Sequence, residues 1–257
     1  MTLGFIGTGS IASAIVAGLR ASTNSPSSIV VSPRNVETAS HLAARFPGVA
    51  VAASNQEVLD RCDTVILAVR PQVAETVLGE LRFKAAHQVL SVVAIFSVER
   101  ISSLVAPAYN VTRAVPLPSS AQRQSPTAIY PASEKALELF RLVGPAFAVD
   151  SEEQFNALCT VTSAVAAYFA YADSIASWLV RRGVPALTAR DYISRVLPSL
   201  AEEALQMPND SFRAMARAHA TPGGLNEQIF NYLEARGLFS GVSDALDQVM
   251  QRMTGSS

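Results

Sequence analysis

The segment Leu3–Ala12, with the sequence LGFIGTGSIA, decides the fold of this chain. Its apolar start, Leu3–Gly7, predicts a buried strand, and the residues that follow predict a helix over Ile11–Leu19. The two are joined by Gly7-Thr-Gly9-Ser-Ile-Ala12, a GxGxxA pattern. A strand, this turn and a helix together form the context in which that pattern binds a dinucleotide.

Each small residue of the turn has a physical role. Gly7 permits the tight turn, Gly9 lets the backbone approach a pyrophosphate, and Ala12 allows the helix to pack closely on the strand. We expect the N–H groups at the helix start, at Ser10 and Ile11, to meet the phosphates. The alternative is a strand-to-helix turn that binds no ligand.

The first half of the chain continues to alternate strands with helices. Further strands are predicted over Ser28–Ser32, Val49–Ala52, Thr64–Val69, Gln88–Val93, Tyr109–Ala114 and Thr127–Tyr130. Helices are predicted over Val36–Phe46, Gln56–Arg61 and Val73–Leu81. This alternation indicates the α/β class, with a Rossmann-type, doubly wound parallel sheet that carries helices on both faces.

The second half of the chain is predicted to be all-helical. Helical patterns cover about 153–182, 186–206, 210–219, 224–236 and 239–253. The strand signals stop near Asp150–Glu153, so we predict two domains, residues 1–151 and 152–257.

Composition excludes several classes of function. Of the 257 residues, 49% are hydrophobic, and 20 basic residues stand against 21 acidic ones. This balance gives no net field that would attract nucleic acid or anionic lipid. The two cysteines are too few for a disulfide framework, and the three histidines have no metal-ligand spacing. The spacing of the histidines therefore predicts no metal site. Because the start of the sequence shows no signal-peptide pattern, we expect a cytoplasmic protein.

One apolar run is long enough to cross a membrane. Leu158–Val180 contains Asp173 as its only formally charged residue. Its aromatic residues Tyr168, Phe169 and Tyr171 lie in the middle of the run, whereas a membrane helix carries them near its ends. This favours a helix buried in a soluble core or a dimer, with a membrane span as the alternative.

The end of the second predicted strand bears on which dinucleotide binds. An NAD site usually places Asp or Glu there, to bind the ribose 2′-hydroxyl. This chain has Val31-Ser32-Pro33-Arg34-Asn35, with no acid before Glu37. Ser32 and Arg34 can hydrogen-bond a 2′-phosphate, and Arg34 adds a positive charge. We therefore expect NADPH here, with a solvent-facing arginine as the alternative.

Several separated segments together resemble the pyrroline-5-carboxylate reductase family. They occur in the family's order: GFIGTGSIASAIVAGL at 4–19, VSPRN at 31–35, AVRPQ at 68–72, RAVPLPSS at 113–120 and TPGG at 221–224. The resemblance implies a Rossmann domain followed by a helical domain that interlocks between two subunits. It also implies NADPH, a small imine as substrate, and an active site where both domains meet.

The resemblance also implies site residues. Further cofactor contacts are expected from Asn35, Ala68, Val69, Arg70, Pro71, Val115 and Pro116. The substrate is expected at Gly223, Gly224, Leu225 and Asn226, with Asn226 and Thr221 closest to the reaction. Thr221 is a good N-cap and Pro222 suits a first helical position, so a helix is predicted to begin there.

Three departures from the family's pattern fall in the substrate half. Val115-Pro116-Leu117 replaces Met-Pro-Asn, and Ser163-Ala-Val-Ala-Ala-Tyr168 replaces a Ser-Gly-Pro-Ala-Tyr signature. Leu225-Asn226 replaces two threonines, so we expect Asn226 to take over their hydrogen bonding. Glu227 is discordant, because its carboxylate would repel a bound carboxylate.

These observations predict an NADPH-dependent reductase of a cyclic imine, first of all pyrroline-5-carboxylate, which would yield proline. A protonated imine is already electrophilic, so the reaction needs positioning and desolvation more than a catalytic triad. Two alternatives remain: a reductase of a different imine or keto acid, and a nucleotide-binding regulatory protein without catalysis.

Overall fold

A computed structural model describes residues 2–255 of the chain. Two compact units divide between Cys159 and Thr160. The first contains the sheet with its helices, and the second is helical. The boundary predicted between residues 151 and 152 coincides with the start of a helix, Glu152–Thr162, within which the two units divide.

The first unit is built on one sheet. Within residues 2–255 its eight strands are β1 (Thr2–Ile6), β2 (Ser28–Val31), β3 (Val49–Val51), β4 (Thr64–Leu67), β5 (Gln88–Ser91), β6 (Asn110–Val115), β7 (Thr127–Tyr130) and β8 (Ala146–Ala148). They lie in the order β3-β2-β1-β4-β5-β6-β7-β8. The first six have the order of a doubly wound nucleotide-binding sheet, which confirms the predicted fold class.

The prediction of an all-parallel sheet is wrong for β7. This strand runs antiparallel to β6, with Arg113 opposite Tyr130. A parallel crossover needs a dozen or more connecting residues, usually a helix. Residues 116–126 contain a short 3-10 helix, Pro118–Gln122, so the chain turns back instead. The three-residue strand β8, which the pattern does not predict, pairs parallel to β7.

Helices cover both faces of the sheet. They are α1 (Ser10–Arg20), α2 (Val36–Arg45), α3 (Asn55–Arg61), α4 (Pro71–Gly79), α5 (Val98–Leu104) and α6 (Glu134–Arg141). The sequence pattern misses α5 and α6, although each follows a serine N-cap, Ser97 or Ser133. Helix α4 begins at Pro71 rather than at the predicted Val73, because proline suits the first helical position.

The core of this unit lies on both sides of the sheet. Leu3 and Phe5 of β1 point to one side, where they pack in a cluster with Ile15 and Leu19 of α1. Ile6 belongs to the cluster on the opposite side. Successive side chains of a strand point to opposite faces of the sheet. A strand whose odd-numbered and even-numbered residues are both apolar is therefore buried on both faces.

The second unit is helical, as predicted. The helices from the domain boundary onward are α7 (Glu152–Thr162), α8 (Val165–Arg181), α9 (Ala186–Gln206), α10 (Phe212–His219), α11 (Leu225–Glu234) and α12 (Leu238–Thr254). The single helix predicted over 153–182 is wrong, since α7 and α8 are separated by a tight turn. There the N–H of Ser163 donates to the carbonyl of Thr160, and that of Ala164 donates to the carbonyl of Val161.

The apolar run Leu158–Val180, for which a membrane span was the alternative, lies within the stretch Glu152–Arg181, which α7 and α8 form. Among the residues described, it is the one helical stretch with the length and composition of a span, with a mean hydropathy of 1.3. In the single chain, 17% of its most apolar 18-residue segment is buried.

Candidate functional site

The glycine turn lies at the carboxyl edge of the sheet, between β1 and β4. Gly7 has a φ of +98°, which favours glycine. A Cβ atom at this position would lie 2.5 Å from the carbonyl oxygen of Ala68. Gly7 therefore serves both the turn and the close approach of the chain that follows β4.

Gly9 faces open space. It is the N-cap of α1, and a Cβ atom built there would meet no described atom within 4 Å. Within residues 2–255, no side chain caps this end of the helix. A helix start with free N–H groups and an empty approach suits a phosphate, whereas a β-branched side chain would fill that space. The cradle therefore fits the pyrophosphate of a dinucleotide.

The side chain of Ser32 stabilises the glycine turn by a hydrogen bond. Its side chain is fully buried, and its Oγ accepts a hydrogen bond of 2.9 Å from the N–H of Gly7. Thr8 Oγ1 donates to the carbonyl of Ser32 at 2.8 Å and lies 3.2 Å from Ser32 Oγ. The buried hydroxyl therefore connects the end of β2 to the glycine turn, and its expected contact with a 2′-phosphate stays a prediction.

Asn35 links the same turn to α2. Its Oδ1 caps the helix by accepting from the N–H of Thr38, and its Nδ2 donates to the carbonyl of Thr8 at 3.3 Å. Arg34, next to it, is exposed. Arg34 is thus accessible to solvent beside a turn that Ser32 and Asn35 hold in place.

The loops after β4 and β6 complete this edge. The N–H of Ala68 donates to the carbonyl of Ile6 at 2.8 Å, which extends the β1–β4 pairing up to the turn. Arg70 is exposed at the N-cap of α4. After β6, Pro116 is buried, and the N–H of Leu117 donates to Ser125 Oγ at 2.7 Å.

A buried arginine that the sequence reasoning passed over lies on β6. Arg113 is 3% exposed, and its Nη1 donates to Glu152 Oε1 at 2.7 Å and to Asn156 Oδ1 at 3.0 Å. Its guanidinium also lies 4.4 Å from the ring centre of Phe155. The signal was present in the sequence, because Arg113 stands among the apolar residues of a predicted strand. Glu152, the first residue of α7, is thus the ion-pair partner of this buried arginine.

The Thr221–Glu227 loop of the second unit differs from its prediction. Helix α11 begins at Leu225 with Gly224 as its N-cap, so Thr221 and Pro222 lie in a preceding turn. The N–H of Gly224 donates to the carbonyl of Thr221 at 2.8 Å. Gly223 has a φ of +73°, which a tight turn requires and a helix does not allow.

Two side chains of α11 stabilise this turn. The carboxylate of Glu227 accepts from the N–H of Gly223 at 2.7 Å, which accounts for the discordant acid. Asn226 Nδ2 donates to the carbonyl of His219 at 3.3 Å. Part of the hydrogen bonding expected from Asn226 toward a substrate is therefore committed to the turn, while Leu225 is 85% exposed.

Neither cysteine is suited to nucleophilic catalysis. Burial raises the pKa of both Cys62 and Cys159 to about 11, so both are protonated thiols at neutral pH. Among residues 2–255, no group of three or more histidine, cysteine or acidic side chains could hold a metal ion. His87 is buried, and its Nδ1 accepts from the N–H of Lys84.

Two family models match the chain. Residues 2–95 match the model of NADP oxidoreductases described as coenzyme F420-dependent. Residues 152–255 match the model of pyrroline-5-carboxylate reductase dimerisation, which marks the second unit as a dimerisation domain. The chain is thus similar to NADP oxidoreductases in its first unit and to pyrroline-5-carboxylate reductases in its second.

Relatives of this family align over nearly the full length. The pyrroline-5-carboxylate reductase of Pseudomonas aeruginosa is 26% identical, with 97% of this chain and 94% of that protein covered. The enzyme of Escherichia coli is 24% identical over 97% of this chain and 96% of its own.

Solved structures agree with the fold. The 1-pyrroline-5-carboxylate reductase of Streptococcus pyogenes has a TM-score of 0.86 at 27% identity, covering 99% of this chain and 98% of that one. The pyrroline carboxylate reductase of Plasmodium falciparum, solved with NADP bound, has a TM-score of 0.84 at 14% identity, covering 99% and 97%. At that identity the second likeness is one of fold.

Proposed function

We propose that this chain is an NADPH-dependent reductase of a cyclic imine, with pyrroline-5-carboxylate as substrate and proline as product. The observation that carries the proposal is the glycine turn, in which Gly9 faces open space at the start of α1. This turn stands in a chain that is similar over nearly its full length to pyrroline-5-carboxylate reductases.

The residues proposed to bind the dinucleotide form two groups, one after β1 and one after β2. The N–H groups at the start of α1, at Ser10 and Ile11, would hold the pyrophosphate, and Arg34 after β2 would hold a 2′-phosphate. Because Ser32 is buried, Arg34 carries the choice between NADPH and NADH. When bound, the reduced nicotinamide supplies a hydride to the carbon of the C=N bond.

The chain's own part in the reaction is to orient the imine and exclude water. A protonated imine needs no further strong acid, so the reaction requires positioning rather than acid catalysis. The proposed reaction also assigns no role to the thiols of Cys62 and Cys159, whose pKa burial raises to about 11. The Thr221–Glu227 turn is proposed as the substrate loop, with Asn226 Oδ1 as the polar atom that meets the substrate. This loop's departures from the family pattern favour a second candidate, the reduction of a cyclic imine other than pyrroline-5-carboxylate.

Steady-state oxidation of NADPH tests the proposal. The chain is assayed with pyrroline-5-carboxylate, the unsubstituted 1-pyrroline, the six-membered homologue of each, and a 2-keto acid, and every assay is repeated with NADH. We expect turnover of the five-membered imines and preference for NADPH. Turnover of the keto acid alone would identify a different reductase. NADPH binding without turnover of any compound would identify the regulatory alternative.

We further propose that the chain is a cytoplasmic homodimer that joins through its C-terminal helices and binds neither membrane nor nucleic acid. Apolar side chains of α8 are exposed in the single chain, among them Phe169 at 63% and Trp178 at 50%. Exposed apolar area on this scale marks an interface. In light scattering, Phe169→Glu should lower the mass to that of a monomer. Tyr109→Glu, at a site of the first unit that is 74% exposed, should not. A monomeric parent at micromolar concentration would contradict the proposal.

A further inference from the structure

Ile95 has a backbone conformation that β-branched residues rarely adopt. Its φ is +75°, in the left-handed region where Cβ crowds the following carbonyl oxygen. A conformation of this kind persists only where the surrounding structure imposes it, and such positions are concentrated at functional sites.

The residues on either side of Ile95 impose this conformation. Val93 is 4% exposed, and its N–H donates to Ser91 Oγ at the end of β5. Phe96 is also 4% exposed, and the guanidinium of Arg100 lies 4.1 Å from its ring centre. Both neighbours of the Ala94–Ile95 step are therefore fixed in the core.

The loop is held equally firmly where it enters α5. Ser97 Oγ accepts from the N–H of Arg100 at 3.1 Å, and the N–H of Val98 donates to Glu152 Oε1 at 2.8 Å. The chain between Ser91 and Val98 has fixed ends, so the left-handed turn at residue 95 is a property of the fold.

The side chain of Ile95 does not contribute to the core. It is 52% exposed, whereas Val93 and Phe96, on either side of the exposed pair Ala94 and Ile95, are buried. Glycine would adopt the same backbone without crowding, and asparagine would adopt it at less cost. The fold alone therefore does not account for a branched apolar side chain at this position.

The location of Ile95 indicates what its side chain does. It follows β5, at the carboxyl edge of the sheet and on the far side of β4 from the glycine turn. Ligands of doubly wound sheets bind outside this edge, and a dinucleotide spans both halves of the sheet. With the pyrophosphate at Gly9 and the 2′-phosphate at Arg34, the reacting end of the dinucleotide falls on the side of β4, β5 and β6.

We propose that Ile95 is a specificity-determining residue whose side chain narrows the substrate space beside the reacting end of the cofactor. A side chain that is stiff at χ1, on a backbone fixed at both ends, makes a wall that does not adjust to a larger substrate. Ile95 thereby limits the size of the imine that the chain reduces. This inference rests on the proposed function.

The experiment compares Ile95→Gly and Ile95→Ala with the parent chain on two imines, pyrroline-5-carboxylate and an aryl-substituted 1-pyrroline. Both variants should raise the ratio of kcat/KM for the bulky imine to that for the small one by tenfold or more. The dissociation constant of NADPH should stay within twofold. In the absence of cofactor, Ile95→Gly should melt about 2–4 °C above Ile95→Ala, because alanine retains part of the backbone strain.

Arg123 provides a matched control. It is the other non-glycine residue with a positive φ within residues 2–255, at +60°, and it ends the 3-10 helix after β6. Arg123→Gly and Arg123→Ala should also differ in melting temperature, yet they should leave the ratio for the two imines unchanged.

The outcomes separate the inference from the proposed function. A parent chain that reduces no imine overturns the proposed function, and the inference with it. A parent that reduces the small imine, with both Ile95 variants within twofold of its ratio, overturns the inference alone. A tenfold loss of NADPH affinity in Ile95→Ala would also overturn it, since Ile95 would then be a cofactor contact.

Discussion

Removal of the Glu152 carboxylate should destabilise the first unit. Glu152 Oε1 accepts two hydrogen bonds, one of 2.7 Å from Arg113 Nη1 and one of 2.8 Å from the N–H of Val98. It therefore joins β6, the start of α5 and the start of α7. The Arg113 side chain is 4% exposed and that of Glu152 is 30% exposed. Only the arginine would be left as a buried charge.

The magnitude follows from this asymmetry. Removal of one partner of a buried ion pair costs about 3–5 kcal/mol, because the other charge stays buried without compensation. Asn156 Oδ1 still accepts from Arg113 in Glu152→Ala, at 3.0 Å, and the guanidinium keeps its contact with Phe155. These contacts, with the partial exposure of Glu152, place the expected loss for Glu152→Ala at about 3 kcal/mol, the low end of that range.

Urea unfolding followed by circular dichroism measures this loss, with the slope m compared among variants. Glu153→Ala is the matched control, because Glu153 is the adjacent acid on the same helix and is exposed. Glu152→Gln retains an acceptor oxygen and should lose less than Glu152→Ala. If Glu152→Ala and Glu153→Ala unfold within about 0.5 kcal/mol of each other, the range of ordinary surface substitutions, then the Arg113–Glu152 pair does not hold these elements together.

Four further measurements test the cofactor cradle, the substrate loop and the buried thiols. Arg34→Ala should weaken NADPH by about 1–3 kcal/mol and leave NADH unchanged in calorimetric titration, the energy of a charge-assisted hydrogen bond; equal losses for both dinucleotides would contradict the role of Arg34. Gly9→Val should abolish binding of both dinucleotides, because its side chain occupies the open approach to α1, while Gly79→Ala, another glycine with open space around it, serves as the control. Asn226→Ala should lower kcat/KM by tenfold or more, at least about 1.4 kcal/mol, with NADPH affinity unchanged, whereas Gln228→Ala on the same helix should not. Because burial raises the pKa of Cys62 and Cys159 from 9.0 to about 11, their contribution to stability is complete below pH 9 and is lost as the pH rises toward 11; the variant with alanine at both positions should lose less stability over that interval.

The order of the sheet was predictable because local patterns determine it. The run Leu3–Gly7 and the GxGxxA turn fix one strand, one helix and their connection. The strands β4 and β5 have consecutive apolar residues, Val65–Leu67 and Val89–Leu90, as is typical of strands buried on both faces. β8 was not predictable in the same way. It has three residues, and Phe147 at its centre is 52% exposed, so it leaves no run that distinguishes it from a loop.

A sequence pattern locates a side chain on the correct element, but tertiary contacts decide what that side chain does. Ser32 and Arg34 both follow β2, and both residue types bind phosphates. The burial of Ser32 beneath Gly7 depends on the pairing of β1 with β2, which the sequence of either strand alone does not reveal. The same holds for Arg113, whose carboxylate partner is 39 residues further along the chain.

The departures in the proposed substrate loop, Thr221–Glu227, are coupled to one another through hydrogen bonds within the turn. Glu227 holds the N–H of Gly223, and Asn226 holds the carbonyl of His219, so two of the residues after Pro-Gly-Gly stabilise the turn from within. A loop that already satisfies the N–H of Gly223 with its own carboxylate offers one donor fewer to a substrate carboxylate, and it adds a negative charge beside it. If this turn is the substrate site, as we propose, we expect pyrroline-5-carboxylate to bind there after Glu227 releases Gly223, whereas an imine without a carboxylate would need no such change. Whether Glu227→Gln improves KM for pyrroline-5-carboxylate but not for unsubstituted 1-pyrroline therefore distinguishes the two candidate substrates at the level of a single side chain.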